Sequence, residues 1–434
     1  MVKEYLEQKR FFLSGVIEVP GDKSISHRSV ILGSLANGVT EVSNFLTGED
    51  CLRTIDAFRS MGVKIERNKT DIKIVGTGIK GLQPPEHSLY FGNSGTTARL
   101  LLGVLAGLPF QTKVTGDESL SKRPMNRVTS PLGEMGAKII GSKNKDVLPL
   151  TINGGQLTGI HYNLPVKSAQ VKSAILLAGL VADVKTTVTE SSPTRNHTEL
   201  MLKAFGASII TDGLTTTVTN TGTLQASKVM VPGDISSAAF LLAGAAITPG
   251  SNLTINRVGL NETRTGIIDV LRKMGANIEV NNVMEINGEL SGDITCTYSD
   301  LKGIQIDGEI IPRLIDEIPI IALLATQANG KTVIKDAEEL RYKETDRIHA
   351  IADVLSKLGA SVEGIEDGLI IQGKTPLQGG KVSGYNDHRI AMMAEIASLI
   401  SKEKVILDDK LSINISYPGF FRDLEKVTKT VTSS

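Results

Sequence analysis

Val19-Pro20-Gly21-Asp22-Lys23-Ser24-Ile25-Ser26-His27-Arg28 and, far downstream, Val231-Pro232-Gly233-Asp234 share their first four residues. In the first copy a Pro-Gly turn and a segment of hydroxyls and cations lead into the apolar run Val30-Ile31-Leu32. That order places Lys23, Ser24 and Arg28 at or beside a helix amino terminus, where unpaired backbone N–H groups and the macrodipole favour an anion. The second copy continues as Ile235-Ser236-Ser237-Ala238, with no cation. The pair reads as a duplicated scaffold in which only the first copy carries an anion site.

A longer pattern supports the duplication. A helical run ends in an apolar residue, a glycine and a small residue, then gives way to a short strand. It occurs at Met61-Gly62-Val63, Met135-Gly136-Ala137, Phe205-Gly206-Ala207, Met274-Gly275-Ala276 and Leu358-Gly359-Ala360. The glycines lie 74, 70, 69 and 84 residues apart. Glycine here is the left-handed residue that closes a helix. A more apolar helix precedes each of these, with cores at Val30 to Ala36, Leu100 to Ala106, Ala174 to Val181, Ala238 to Ile247, Ile318 to Ala328 and Ile390 to Ile400. Helices apolar nearly all round belong between other elements.

The unit reads helix, strand, helix, strand pair, repeated six times with the last incomplete. Two domains of three units follow, residues 21–231 and residues 232–434, the second completed by residues 1–20. Crossovers, and a hinge, are expected at Gly21-Asp22 and Gly233-Asp234.

The chain of 434 residues is long enough for two ordinary cores. With 47 basic and 47 acidic residues no global field draws it to nucleic acid or membrane, so an anion site must be a local cluster. Aromatics at 4% and the lack of a basic stripe count further against nucleic acid. Cys51 and Cys296 make neither a disulfide framework nor a zinc spacing. The start, Met1-Val2-Lys3-Glu4-Tyr5, lacks signal-peptide character, and runs such as Ile318 to Ala325 are short of a membrane span. A cytoplasmic protein is the expectation.

The chemistry gathers at the starts of the buried helices. There stand Lys23, Ser24 and Arg28, then Gly92-Asn93-Ser94-Gly95-Thr96-Thr97-Ala98-Arg99, then Lys167-Ser168-Ala169-Gln170-Val171-Lys172, Asp316-Glu317, and Asp387-His388-Arg389. The fourth helix has caps, Asp234, Ser236 and Ser237, and no charge suited to an anion. Any one of these is explained as an ordinary N-cap; cations at four of the six tip the reading to a cleft for a multiply anionic ligand. Loops before the second helices add Lys122-Arg123-Pro124, Thr194-Arg195-Asn196 and Lys343-Glu344-Thr345-Asp346-Arg347.

Seven stretches, PGDKSISHR, GNSGTTAR, LSKRPM, KSAQVKSA, IDEIP, KETDR and NDHRIAM, stand in an order and spacing that closely resemble the 5-enolpyruvylshikimate-3-phosphate synthase family over nearly the whole chain. KSAQVKSA and TRNHTE resemble the branch described as less sensitive to glyphosate. The resemblance implies a two-domain inverted α/β barrel of six βαβαββ units with the site in the inter-domain cleft. It also implies transfer of the enolpyruvyl group of phosphoenolpyruvate to the 5-hydroxyl of shikimate 3-phosphate, with no metal or organic cofactor, in a monomer.

The same resemblance assigns roles. Lys23 touches both substrates and serves proton transfer. Ser24, Arg28, Ser168, Ala169, Gln170, Arg195 and Lys343 hold shikimate 3-phosphate. Asn93, Gly95, Thr96, Arg123, Gln170, Arg347, His388 and Arg389 line the phosphoenolpyruvate pocket, and guanidiniums suit its planar and trigonal anions. Asp316 is the base at the 5-hydroxyl, and Glu344 moves a proton at the methylene carbon. His388 is a hydrogen-bond partner behind the site.

Two positions depart from the pattern. Ile415 stands where some members carry lysine, and Leu100 where others have proline. The related transferase acting on UDP-N-acetylglucosamine fits less well, because it carries a cysteine in the loop that here runs Thr115-Gly116-Asp117-Glu118-Ser119. A non-catalytic anion-binding module would leave Asp316 and Glu344 among cations unexplained.

Overall fold

The computed structural model describes residues 11–142, 146–220 and 222–430, so the Met1–Tyr5 start falls outside the described residues. The chain forms two compact units: Pro20–Pro232 with Glu285–Leu290, and Met1–Val19 with Gly233–Met284 and Ser291–Ser434.

The first of these holds α1 (Lys23–Leu35) and α2 (Glu49–Ser60), α3 (Gly95–Ala106) and α4 (Asn126–Glu134), and α5 (Ala169–Gly179) and α6 (His197–Ala204). The other holds α7 (Ile235–Ile247) and α8 (Gly266–Met274), a single turn α9 (Ile311–Leu314), α10 (Ile318–Gln327) and α11 (Arg347–Lys357), and α12 (His388–Ala397) and α13 (Phe420–Val427).

The first helix of each pair is the buried one. Every residue of α7 and every residue of α12 is buried, which is why these segments show no polar stripe. The fit between them is close. At Gly103 of α3 a Cβ would lie 2.1 Å from the carbonyl oxygen of Ala174 in α5, so only glycine allows the two backbones to meet there. The second helices are one-sided: α8 buries Ile267, Ile268, Val270, Leu271 and Met274 and ends in Arg272 and Lys273, cations suited to a carboxyl-terminal dipole. Gly62, Gly136, Gly206, Gly275 and Gly359, which follow these helices, all have φ between 80° and 104°.

Five of the repeats make a small mixed sheet, and the last keeps only a parallel pair, Gly380–Val382 with Val405–Leu407. A strand before the buried helix pairs in parallel with the one after it, as Leu89–Tyr90 does with Gln111–Thr115 and Gln305–Ile306 with Gly330–Ile334. A hairpin after the second helix then adds antiparallel strands, such as Lys138–Gly141 and Leu150–Asn153. These sheets bury one face: Thr215–Thr219 alternates half-buried and buried residues, and its outer threonines pair with neighbours, Thr187 with Thr217 at 3.0 Å.

Two repeats take their leading strand from elsewhere in the chain. Ala36–Ser43 pairs in parallel with Leu224–Gln225 and Lys228–Met230, and Asn252–Gly259 pairs in parallel with Phe11–Glu18. The two Val-Pro-Gly-Asp segments follow those borrowed strands. Gly21 is pressed so closely to Asn44 that a Cβ would lie 1.9 Å from its carbonyl oxygen, and the Asp22 N–H donates to the Pro232 carbonyl at 2.8 Å.

Candidate active site

In the unit built from Pro20–Pro232, three buried helices begin with a side-chain cap. Asp22 accepts from the Ile25 N–H, Ser94 from the Thr97 N–H and Ser168 from the Val171 N–H. The N-cap explanation therefore holds for these three residues, and the candidate groups stand beside them. Lys23, Ser24, Asn93, Thr96, Ser168, Ala169 and Gln170 are half-buried.

Lys23 forms an ion pair with Asp50 of α2. Gln170 bridges two repeats: its carbonyl oxygen accepts from Arg99 Nη1 at 2.6 Å and its amide donates to Thr96 Oγ1 at 3.0 Å. Arg123 donates to the carbonyl oxygen of Asn93, whose amide donates to Asp117 at 2.9 Å. The buried Nε of Arg123 has no hydrogen-bond partner. Gly95 lies between two guanidiniums, since a Cβ there would stand 3.2 Å from Nη1 of both Arg123 and Arg99.

Behind this surface lies a buried polar layer. Arg28 is 4% exposed and donates to Thr198 Oγ1 at 2.6 Å, Ser173 Oγ at 2.8 Å and the Ser24 carbonyl at 3.0 Å. Burial lowers its guanidinium to about 10, with Arg195 adding to the effect and Glu199 and Asp22 opposing it. Lys172 is held at 2.7 Å from Glu190 and 2.6 Å from Glu199, a buried pairing that ties α5 to α6. Arg195, half-buried, opens α6. His27 meets Thr54 at 2.7 Å, Thr54 meets Thr97 at 2.8 Å, and Thr97 meets Ser94 at 2.7 Å, so one chain of bonds joins α1 and the middle of α2 to the start of α3.

The other unit gathers carboxylates and cations at the starts of α7, α10, α11 and α12. Asp316 is approached by Arg347 at 3.3 Å, Lys343 at 3.4 Å and Arg389 at 3.7 Å. Arg347, 1% exposed, also donates to Glu344 at 2.6 Å and forks Asp387. Burial opposes the charge on Arg347, but Asp387, Glu344 and Asp316 together outweigh it and raise its pKa. Asp387 caps α12 through the Arg389 N–H at 2.8 Å, and His388 beside it is buried. Lys343 and Glu344 are the more open members, at 29% and 20% side-chain exposure.

This arrangement can bind trigonal and planar anions and move protons through a carboxylate pair whose charge is balanced by cations. Among the described residues no group of three His, Cys, Asp or Glu side chains is placed to hold a metal ion.

Residues 8–424 match the family model described as EPSP synthase (3-phosphoshikimate 1-carboxyvinyltransferase). The chain belongs to the EPSP synthase family. It is 59% identical over 417 residues to the 3-phosphoshikimate 1-carboxyvinyltransferase of Oceanobacillus iheyensis, covering 96% of this chain and 97% of that one. The Bacillus subtilis protein of the same name is 54% identical over 418 residues, covering 96% and 98%. The structure of EPSP synthase from Acinetobacter baumannii superposes with a TM-score of 0.86 at 44% identity, covering 98% of both chains. The enolpyruvyl transferase NikO from Streptomyces tendae, at 17% identity and a TM-score of 0.78, shares the fold. As an EPSP synthase family member the chain is a transferase that acts on small-molecule substrates.

Two charged residues of these EPSP synthase clusters, Asp50 and Arg264, are missing from the sequence expectations, and Arg99, Glu317 and Asp387 stand in the helix-start stretches named there without a role of their own. Arg264 corrects the view that the fourth helix start has no cation. It donates to Ser236 Oγ at 2.8 Å and to Asp234 at 3.3 Å. A positional signal existed: Arg123, Arg195, Arg264 and Arg347 stand ten to twelve residues before Met135, Phe205, Met274 and Leu358. For the position at Ile415, Lys410 is the neighbouring cation, and it pairs with Glu395 at 2.7 Å and lies over the Phe421 ring.

Proposed function

We propose that the two clusters act together on phosphoenolpyruvate and shikimate 3-phosphate, with the enolpyruvyl group passing to the 5-hydroxyl and phosphate leaving. The observation that carries the assignment of roles is the setting of Asp316, a carboxylate within 3.3–3.7 Å of three cations and joined to Glu344 through Arg347. The three cations balance the charge of a carboxylate that must take up a proton in this partly buried place.

In the addition step Asp316 takes the 5-hydroxyl proton as that oxygen attacks C2 of phosphoenolpyruvate, and Glu344 gives a proton to C3. In the elimination step Glu344 takes a proton back from C3, the C2–C3 double bond re-forms, the C–O bond to phosphate breaks and the proton held by Asp316 leaves with the phosphate. Lys23 lies against both substrates and serves proton transfer. Ser24, Arg28, Ser168, Ala169, Gln170, Arg195 and Lys343 hold shikimate 3-phosphate. Ser168 caps its helix through its oxygen and keeps its hydroxyl hydrogen for the phosphate. Asn93, Gly95, Thr96, Gln170, Arg123, Arg347, Arg389 and His388 form the phosphoenolpyruvate pocket, with Arg347 acting through the carboxylates it holds. The domain boundaries are the two Val-Pro-Gly-Asp segments, and the protein works as a cytoplasmic monomer.

Asp316→Asn tests the central role. The variant should bind both ligands in equilibrium titrations while turnover falls at least about a hundredfold, the scale of a lost general base. Unchanged turnover removes Asp316 from that role.

A further inference from the structure

The second Val-Pro-Gly-Asp copy ends in a buried relay. Arg264, 3% exposed, donates to Ser236 Oγ at 2.8 Å, and Ser236 in turn donates to Glu317 Oε1. Glu317 is 0% exposed, and the same Oε1 lies 3.7 Å from Arg389 Nη1. Arg389 also donates to the Asp316 carbonyl at 3.1 Å and lies 3.7 Å from the Asp316 carboxylate. Arg389 thus has two carboxylates on its own side. Unshared, they would neutralise it and draw it inward, since a buried ion pair forms at the expense of any third partner.

We propose that Arg264 is a positioning residue for substrate binding: by taking a share of Glu317 through Ser236, it leaves the Arg389 charge available to the anion of phosphoenolpyruvate. The proposal rests on the assignment of Arg389 to that substrate made above. The geometry gives the relay a direction, because the Ser236 hydroxyl accepts from Arg264 and donates to Glu317, so each bond polarises the next. The duplication acquires a function at the copy that touches no substrate: Asp234 anchors Arg264 at 3.3 Å and caps α7 at the same time.

The test is steady-state kinetics on the full chain with each substrate varied in turn. Arg264→Gln should raise KM for phosphoenolpyruvate about tenfold, the scale of one lost charge coupling, with KM for shikimate 3-phosphate changed less than about twofold. Adding Glu317→Gln to that variant should bring the phosphoenolpyruvate KM back to within about threefold of the parent, because cation and carboxylate then leave together. A merely structural Arg264 would raise both KM values together or leave the double variant no better than the single one, and either result overturns the proposal.

Should Arg264→Gln fail to fold, Ser236→Ala breaks the relay without stranding a charge and should raise the phosphoenolpyruvate KM severalfold; an unchanged KM overturns the relay. Arg389→Gln is the control for the underlying assignment. If it leaves the phosphoenolpyruvate KM unchanged, that assignment falls and the relay with it, whereas a raised KM in Arg389→Gln with no effect in Arg264→Gln sinks the relay alone.

Discussion

Arg347 and Asp387 meet as a fork: Nε reaches Oδ2 at 2.8 Å and Nη2 reaches Oδ1 at 3.2 Å, with both residues at or below 1% exposure. The pair joins the start of α11 to the start of α12, and Asp387 caps α12 with the same carboxylate. It orients the guanidinium that reaches Asp316 and Glu344. A site made of opposed charges needs such a support, because each member would otherwise collapse onto its nearest counter-ion.

Removing one half of that fork should therefore be costly. Asp387→Ala takes the forked partner from a buried guanidinium, leaves it with Glu344 and Asp316, and uncaps a helix, with an expected loss of about 3–5 kcal/mol of unfolding free energy. Urea denaturation of the parent and the variant measures it, and a loss under about 1 kcal/mol would show that Glu344 and Asp316 suffice to hold Arg347.

Gly95 lies 3.2 Å, measured from a Cβ position, from two guanidinium nitrogens. Gly95→Ala must push the Arg99 and Arg123 side chains by a few tenths of an ångström, and Arg123 is assigned to phosphoenolpyruvate. KM for phosphoenolpyruvate should rise about tenfold, more than that for shikimate 3-phosphate, since small misplacements at a reacting centre are expensive. Equal changes in both would place Gly95 outside the pocket.

His27 makes stability depend on pH. Burial first, then Lys23 and Arg28, hold its folded pKa well below 6.5. The unfolded chain takes up a proton below about pH 6.5 that the folded chain refuses, so stability is full above that pH and falls beneath it. Between pH 7.5 and pH 5.5 the His27 contribution to this loss is about 1.4 kcal/mol, and His27→Gln should flatten the curve by that amount. Denaturant titrations at the two pH values check it; parallel losses in parent and variant would mean that His27 is protonated in the fold. Asp353 and Asp408, whose pKa values are lowered from an already acidic range, act at lower pH and do not confuse the window.

Much of this was legible in the chain. The six buried helices were read from apolar runs because a helix covered on all sides must be apolar all round, and the five glycines from the left-handed turn that only glycine adopts without strain. The cations, hydroxyls and carboxylates next to helix starts were legible for the same local reason. Most partnerships across the chain were not. Nothing near Ser236 announces that Arg264 and Glu317 converge on it, and nothing near Ala36 announces that Leu224–Met230 supplies its neighbouring strand. Such pairings depend on how repeats close on one another, a long-range property that residue patterns within one repeat do not encode. Arg28 shows the other limit: its motif marks it as a ligand-facing cation, yet much of its donor capacity is spent on Thr198, Ser173 and Ser24 inside the fold.

The most direct test of the whole account is release of inorganic phosphate from phosphoenolpyruvate by the purified full chain, with shikimate 3-phosphate in one arm and UDP-N-acetylglucosamine in the other. The account predicts release in stoichiometric step with consumption of shikimate 3-phosphate, and none with the sugar nucleotide. No release with saturating shikimate 3-phosphate, or release with UDP-N-acetylglucosamine instead, would contradict it.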